Sequence, residues 1–355
     1  MKIIVKKQAF ENAIVSLQAF LERKDFSHVT SHIYFEANQD GLILKATDNE
    51  IGLSVMIDDF ILDEEGKTTC NGKKILDIIR ILKDDEIIIN SEGDTLHIKQ
   101  NRSNYKLPTF DANEYPSFPS YENLPKINID SLKLISSFKK VMPAIDTNNP
   151  KFELNGALID IKNYGINIVG TDTKRLGLLR IENETNQGNS IIIPKKAIQE
   201  IQKLFVSDVN IFFDTTNFII KSNNHYFFTK VINGKFPDYE RIVPKELKHN
   251  ITLAKETMIN AIKQVNIISA EIKMRFSPNS IYFESINDEN FEAKTEFEIN
   301  TNITEEFEIA VNSRYIIDFL SQIDTREFLM SFNEPNTPFQ LKSENFLTII
   351  MPIAL

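Results

Sequence analysis

Five histidines, one cysteine and 50 acidic side chains are the groups with which this chain could do acid–base, nucleophilic or metal chemistry. His28 and His32 stand four apart, and two imidazoles could in principle share a metal ion. No cysteine or carboxylate set completes a site around them, so a loop-and-strand surface is expected for the pair. His97, His225 and His249 are scattered. Cys70 is the single cysteine, which excludes an intramolecular disulfide and fits a reducing cytosol. With no His or Asn placed to pair with it, Cys70 reads as a small, partly buried side chain and not as a nucleophile. Asp48 and Asp172 each follow a threonine and could be imagined as a catalytic carboxylate pair. Phosphate-binding loops, dinucleotide fingerprints, HExxH helices and paired CxxC motifs are all missing. These residues imply no catalytic centre, no metal and no cofactor.

The two aspartates belong to a repeated phrase. Gly41-Leu42-Ile43-Leu44-Lys45-Ala46-Thr47-Asp48 leads into Ile51-Gly52-Leu53-Ser54-Val55. Ile166-Asn167-Ile168-Val169-Gly170-Thr171-Asp172 leads through Thr173-Lys174-Arg175-Leu176 into Leu178-Leu179-Arg180-Ile181, with the Thr-Asp pair 124 positions later. Alternation at period two marks half-buried strands, so each phrase reads as strand, short polar connection, strand. Equivalent positions in two repeats favour a structural aspartate, closing the connection with an Asx-type hydrogen bond.

The flanks repeat as well. A short strand at Lys2-Ile3-Ile4-Val5 precedes Phe10, Ala13, Ile14 and Leu17, the buried stripe of an amphipathic helix. Lys126-Ile127-Asn128-Ile129 stands before Leu134, Ser137, Phe138 and Val141 in the same way, and Asn250-Ile251-Thr252-Leu253 before Met258, Ala261, Ile262 and Val265. A second helix recurs as Ile75, Ile79, Leu82, then Ala197, Ile201, Leu204, then Ile316, Leu320, Ile323. Pro194 falls in the first turn of the middle one, where proline is tolerated. The predicted fold class is α+β, with three tandem pseudo-repeated domains at 1–123, 124–247 and 248–355. Proline-punctuated joints at 116–125 and 237–244 imply fixed spacing. The third copy has drifted furthest, with Asn287-Asp288 in place of Thr-Asp.

A formal charge of −10 argues mildly against a nucleic-acid binder, but its distribution argues the other way. The helical segments 6–24, 72–83, 130–140, 195–203, 255–263 and 312–326 carry 18 Lys or Arg against 8 Asp or Glu. They are therefore +10, and the remainder of the chain is −20. Helices sharing a basic surface could follow phosphates without reading bases, while the acidic remainder repels DNA elsewhere. A positively lined cavity in an acidic body is the shape this suggests. No apolar run reaches the roughly 18 residues that span a bilayer, and the apolar start is too short for a signal peptide.

Five stretches, in order along the chain, resemble the bacterial β sliding clamps, the processivity subunits of DNA polymerase III. They are Lys151-Phe152 with Leu154-Asn155-Gly156, Thr171 to Leu176, Ile193-Pro194-Lys195-Lys196, Phe236-Pro237-Asp238-Tyr239 with Arg241, and Ile350-Met351-Pro352-Ile353-Ala354-Leu355. The resemblance implies a ring-shaped head-to-tail homodimer, with helices lining a central hole and antiparallel sheets outside. Such a ring is cytoplasmic and non-catalytic, and slides on duplex DNA without sequence specificity. It tethers the replicative DNA polymerase alpha subunit, the clamp loader, other polymerases and mismatch-repair proteins through a hydrophobic peptide pocket.

Residue by residue, the resemblance implies a deep pocket of Leu154, Thr171, Thr173, Lys174, Arg175, Leu176, Pro237, Ile242, Ile349 and Met351. Thr147, Asn312, Tyr315, Pro352 and Ile353 would form its shallower part. An apolar floor with a few polar groups suits a short extended peptide carrying hydrophobic anchors. Lys24 and Asn148 match positions that touch DNA in the family and Phe152 an adjoining aromatic one, and Lys73, Lys74 and Lys196 are further expected DNA-binding residues. Tyr105 and Leu107 would meet Ile267 and Ile268 of a second copy, with ordinary domain core as the alternative for all four. Thr173-Lys174 stands where many members have Gly-His, which implies a narrower deep pocket. Ala354 replaces a common Arg, removing a rim charge. The other classes weighed are an enzyme of repeated α+β architecture and a non-ring peptide-binding adaptor of the same fold.

Overall fold

The period-two segments pair into antiparallel sheets, and the amphipathic segments become helices laid on them. The computed structural model describes residues 1–23, 25, 27–127, 129–182, 188–287 and 291–354. The helices are α1 (Lys7–Leu17), α2 (Gly72–Ile81), α3 (Ser131–Val141), α4 (Lys195–Leu204), α5 (Lys255–Val265) and α6 (Ser313–Gln322). On α1 the buried residues are Phe10, Ala13, Ile14 and Leu17, and on α5 Met258, Ala261, Ile262 and Val265, the stripes expected from spacing. Leu134, Ser137, Phe138 and Val141 are likewise buried on α3. Asn71 caps α2 by accepting from the Lys74 amide, and Asn312 caps α6 by accepting from that of Arg314. Each cap satisfies a donor that the helix itself leaves unbonded.

Several local expectations are corrected. Helix α1 ends at Leu17 and gives way to a 3-10 turn, so Glu22 and Arg23 lie beyond it. The six helices as formed carry 13 Lys or Arg and 5 Asp or Glu, so their basic excess persists. Of the segment expected as a strand at 126–129, Lys126 makes one isolated bridge to Phe212, Ile127 and Ile129 are in no strand, and Asn128 lies outside the described residues. Pro194 closes the strand Asn189–Pro194 instead of opening α4. On α4 Ala197 and Ile201 are buried as expected, Ile198 is fully buried beside them, and Leu204 at the end of the helix is only partly buried. Asp288 of the drifted third copy also lies outside the described residues.

Two compact units contain the four sheets: Met1–Leu132 with Gln199–Val231, and Lys133–Ile198 with Ile232–Leu355. The first holds a five-stranded sheet ordered Phe60–Glu64, Lys2–Lys6, Glu86–Glu92, Thr95–Gln100, Ser103–Pro108. It also holds a seven-stranded sheet in which His225–Lys230 pairs with Ile51–Ile57, joining strands of the middle and first sequence copies. Gly52 faces Phe228 across that seam, and a Cβ there would lie 2.3 Å from the Phe228 ring. The second unit holds a four-stranded sheet ordered Lys294–Glu298, Ser280–Ser285, Glu271–Phe276, Phe307–Asn312. Its eight-stranded sheet pairs Arg175–Glu182 with Phe346–Ile350, joining the middle and third copies. Strand pairing thus crosses the boundaries that sequence repetition suggests. Each seam covers a strand edge that would otherwise present unpaired backbone groups.

His32 sits inside the first unit, 5 % exposed, and not on a loop-and-strand surface. It starts the strand His32–Asn38, whose side chains are mostly inward, so its ring lies 4.3 Å from that of Phe110 and 3.2 Å from the Thr69 hydroxyl. His28 is exposed beside Asp25. Burial holds the His32 imidazole neutral, with its pKa lowered to about 4. The unfolded chain therefore takes up a proton first as pH falls below about 6.5, and stability declines between there and about 4. Denaturant midpoints should show a loss of up to about 2 kcal/mol on going from pH 7.5 to pH 5, and His32→Gln should flatten that slope. Equal slopes in the two proteins would exclude His32 as the source.

Cys70 is fully buried, beyond the partial burial expected, and burial pushes its thiol pKa up. That is the environment of an inert thiol.

Candidate functional site

The site is assembled in the second unit around the turn that links Gly165–Thr171 to Arg175–Glu182. Asp172 Oδ1 accepts from the amides of Lys174 (3.0 Å) and Arg175 (2.9 Å), while Thr171 Oγ1 donates to Arg175 O at 2.7 Å. The turn at Thr47-Asp48 is the same: Asp48 Oδ1 accepts from Glu50 and Ile51, and Thr47 Oγ1 donates to Ile51 O. Both aspartates are therefore structural Asx acceptors. The third turn position is left-handed in each, with φ 72° at Asn49 and 73° at Thr173. Asparagine tolerates that region, whereas a β-branched threonine is strained by on the order of 1 kcal/mol. Glycine at this position would carry no such strain.

Arg175 leaves this turn inward and is 9 % exposed. Its guanidinium bonds Asp172 at 3.0 Å and Asp318 on α6 at 2.6 Å, and it donates to the carbonyl of Pro143 beyond α3. The same group lies 4.4 Å from the centre of the Tyr315 ring. One cation thus ties the turn, the end of α3 and helix α6 to the eight-stranded sheet. Charge-assisted bonds in a low-dielectric setting are the strong kind.

On the sheet face carrying Leu176 lies an apolar cluster: Leu158, Val169, Leu176, Leu178, Ile192, Leu347 and Ile349, capped by Phe236 and Tyr239. Leu176 and Ile349 are directly paired across adjacent strands. The segment over them is pinned by polar contacts. The Tyr239 hydroxyl donates to Asp160 at 2.5 Å and accepts from Asn167 at 2.8 Å, and Lys162 pairs with Glu240 at 2.5 Å. Burial, reinforced by Asp160, raises the Tyr239 pKa, so the hydroxyl stays protonated and able to donate.

Of the expected deep-pocket residues, the turn Thr171 to Leu176 is brought together with Ile349 and Met351, but not as an open floor. Leu176 and Ile349 are at most 2 % exposed, packed in the cluster with Phe236 and Tyr239, and Leu154 is 1 % exposed. Accessible apolar surface comes instead from Met351 (41 % exposed) and Ile242 (40 %), with Pro237 partly buried. The tail is tied to the turn: the Met351 amide donates to Lys174 O at 2.9 Å, and that of Ile353 to Ala310 O at 2.8 Å. Thr173 and Lys174 are exposed beside it, Thr171 is buried, and Pro352 is partly buried. Among the shallower residues, Tyr315 lies against Arg175 and Asn312 is committed to capping α6. Thr147 is exposed and receives Lys195 Nζ at 3.1 Å, which also donates to Ile145 O.

Asn148, Phe152 (73 % exposed) and Lys196 are surface residues of the second unit. Lys73 and Lys74 are exposed on α2 in the first, and Lys24 lies outside the described residues. Tyr105 and Leu107 are partly buried on Ser103–Pro108, an edge strand. Ile267 is 82 % exposed and Ile268 38 %, in the turn after α5, so neither is domain core.

Asp318, Lys195, Asp160 and Asn167 were not among the expected site residues, since nothing local marks them. Tyr239 could have been found: it stands in the Phe-Pro-Asp-Tyr run, where only the proline was assigned a role. Among the described residues no group of three or more His, Cys, Asp or Glu could hold a metal ion.

Three family models match the chain in succession, described as the N-terminal, central and C-terminal domains of the DNA polymerase III beta subunit, over residues 1–119, 128–238 and 240–354. A beta sliding clamp of Helicobacter pylori is 40% identical over 374 residues, covering 100% of both chains. The crystal structure of a Helicobacter pylori beta clamp bound to a DNA ligase peptide superposes with TM-score 0.94 at 40% identity, again over 100% of both chains. The DNA polymerase III subunit beta from Pseudomonas aeruginosa shares the fold at 23% identity and TM-score 0.92, with 100% of both chains covered.

Proposed function

The chain belongs to the DNA polymerase III beta subunit family, the β sliding clamps, and is a non-catalytic DNA polymerase processivity factor; we propose that it acts as a head-to-tail homodimeric ring threaded on duplex DNA. The three repeats, 1–123, 124–247 and 248–355, are its domains in this reading, and two copies supply six. A heterologous contact that closes after two subunits gives a finite ring. Tyr105 and Leu107 on the edge strand Ser103–Pro108 and the exposed Ile267 and Ile268 are the surfaces that would meet, and an open sheet edge supports such a joint. The basic excess of the helices supports a lining that follows phosphates, with Lys24, Lys73, Lys74, Asn148, Phe152 and Lys196 as contacts. The ring is read as cytoplasmic, and no described helix is long and apolar enough to cross a membrane.

Partner proteins would dock through short peptides at the site around Met351, Ile242, Pro237 and Tyr315. The observation that carries this reading is an apolar tail whose Met351 is exposed and whose Pro352 and Ile353 are partly buried, with the Met351 amide hydrogen-bonded to Lys174 O in the Arg175 turn. A Helicobacter pylori relative has been solved with a DNA ligase peptide bound. The replicative polymerase alpha subunit, the clamp loader, other polymerases and mismatch-repair proteins are the partners proposed. Removing Met351 to Leu355 should abolish binding of a hydrophobic clamp-binding peptide, read by fluorescence anisotropy, while sedimentation still reports a dimer. Undiminished peptide affinity after truncation would remove the tail from the site.

A further inference from the structure

Beside the proposed peptide site the eight-stranded sheet carries a groove of about 340 Å³, floored by Val243, Pro244 and Leu347 and edged by Arg180, Lys245 and Lys342. Its placement follows from strand register. Leu347 pairs with Leu178 on one side and Lys342 on the other, so the three share a face. Arg180 follows Leu178 by two residues and lies on that face too. Leu176 and Ile349, expected at the peptide site, precede Leu178 and follow Leu347 by two. One continuous face therefore runs from the peptide site to the groove, and Tyr239, Val243 and Leu347 belong both to the groove and to the apolar cluster beneath the site. Leu347, which lines the groove, is four residues from the exposed Met351 of the site, roughly 13 Å along an extended chain.

The groove is chemically one-sided. None of the three cations pairs with an acidic side chain of the described residues. The carboxylate that also lines the groove, Glu240, is engaged by Lys162. Three unpaired cations over an apolar floor, in a chain of net charge −10, call for an anionic occupant with an apolar stem. Aspartate and glutamate in an extended segment supply both.

Resting on the peptide-docking reading above, we propose that this groove receives acidic residues flanking the hydrophobic anchors of a bound partner peptide. An extended chain covers about 3.3–3.6 Å per residue, so carboxylates about four residues from the anchors reach Arg180 and Lys342. Exposed ion pairs contribute modestly one by one, so the groove grades partners rather than admitting them.

The test uses the full-length protein and three synthetic peptides with one hydrophobic core. One has neutral flanks, one two glutamates about four residues before the anchors, and one two glutamates as far after them. At low salt one acidic peptide should bind about five- to tenfold more tightly than the neutral one. That advantage should shrink as salt is raised and vanish in an Arg180→Gln, Lys342→Gln double variant, with neutral-peptide affinity unchanged. Failure of the neutral peptide to bind at all would overturn the docking reading itself. Normal neutral binding with no acidic advantage, or an advantage that survives the double substitution, would overturn the groove alone. So would a single-stranded oligonucleotide that binds the parent, is weakened by the double substitution and displaces the acidic flank: the groove would then belong to nucleic acid.

Discussion

Linearising a nicked plasmid that carries the loaded protein should release nearly all of it, whereas intact circles should retain it through gel filtration. The contrast follows from how the positive charge is placed. The described helix cations are suited to phosphates, whose contacts carry no sequence information. Phosphate contacts alone give weak association that falls steeply with salt. A closed ring needs no such affinity, because a circular duplex cannot leave it without a break in the DNA or an opening of the ring. Retention on circles should therefore persist at salt concentrations that abolish binding to linear fragments. Equal retention on cut and uncut DNA would mean a direct grip, and the non-ring adaptor would become the better account.

Replacing Arg175 with methionine should destabilise the second unit by about 3 kcal/mol, lowering its urea midpoint by ~1 M or more. Methionine roughly fills the space but returns nothing to Asp172, Asp318 or the Pro143 carbonyl, which lose their donor together. Leaving such groups uncompensated is the expensive half of breaking a buried ion pair. Asp318→Asn, which keeps the shape and loses one charge, should cost only about 1 kcal/mol. Because Arg175 also orders the turn whose Lys174 carbonyl holds Met351, peptide affinity should fall in Arg175→Met even where the protein remains folded. An unchanged midpoint would show that the turn, α3 and α6 are held by packing alone.

The Thr-Asp turns show how far local chemistry reaches. Thr47-Asp48 and Thr171-Asp172 close their hairpins through bonds spanning two to four residues, so the motif and its outcome lie in one short stretch. The helix stripes are legible for the same reason, since burial of Phe10 or Met258 follows from a 3.6-residue period and a sheet beneath. Where the expectation failed, the deciding contact was distant. His32 looked like a surface residue, but Thr69 on the neighbouring strand and Phe110 further along the chain close over it. Leu176 and Ile349 looked like the floor of an open pocket, yet Phe236 and Tyr239 cover that face.

The threefold repetition, the alternating strands and amphipathic helices, the two Asx-closed turns, the basic bias of the helices and the family resemblance are legible in the residues alone. All of these are properties of residue type at short, fixed spacing. Only the tertiary structure decided that the middle repeat lends strands to both neighbours, that Arg175 meets Asp318 143 residues away, and that Met351 is laid on the Lys174 carbonyl. Which strand edge finds which partner depends on edges left open elsewhere in the chain, and a buried charge finds its counter-ion only once separate helices have packed. Neither leaves a periodic trace in the residues concerned.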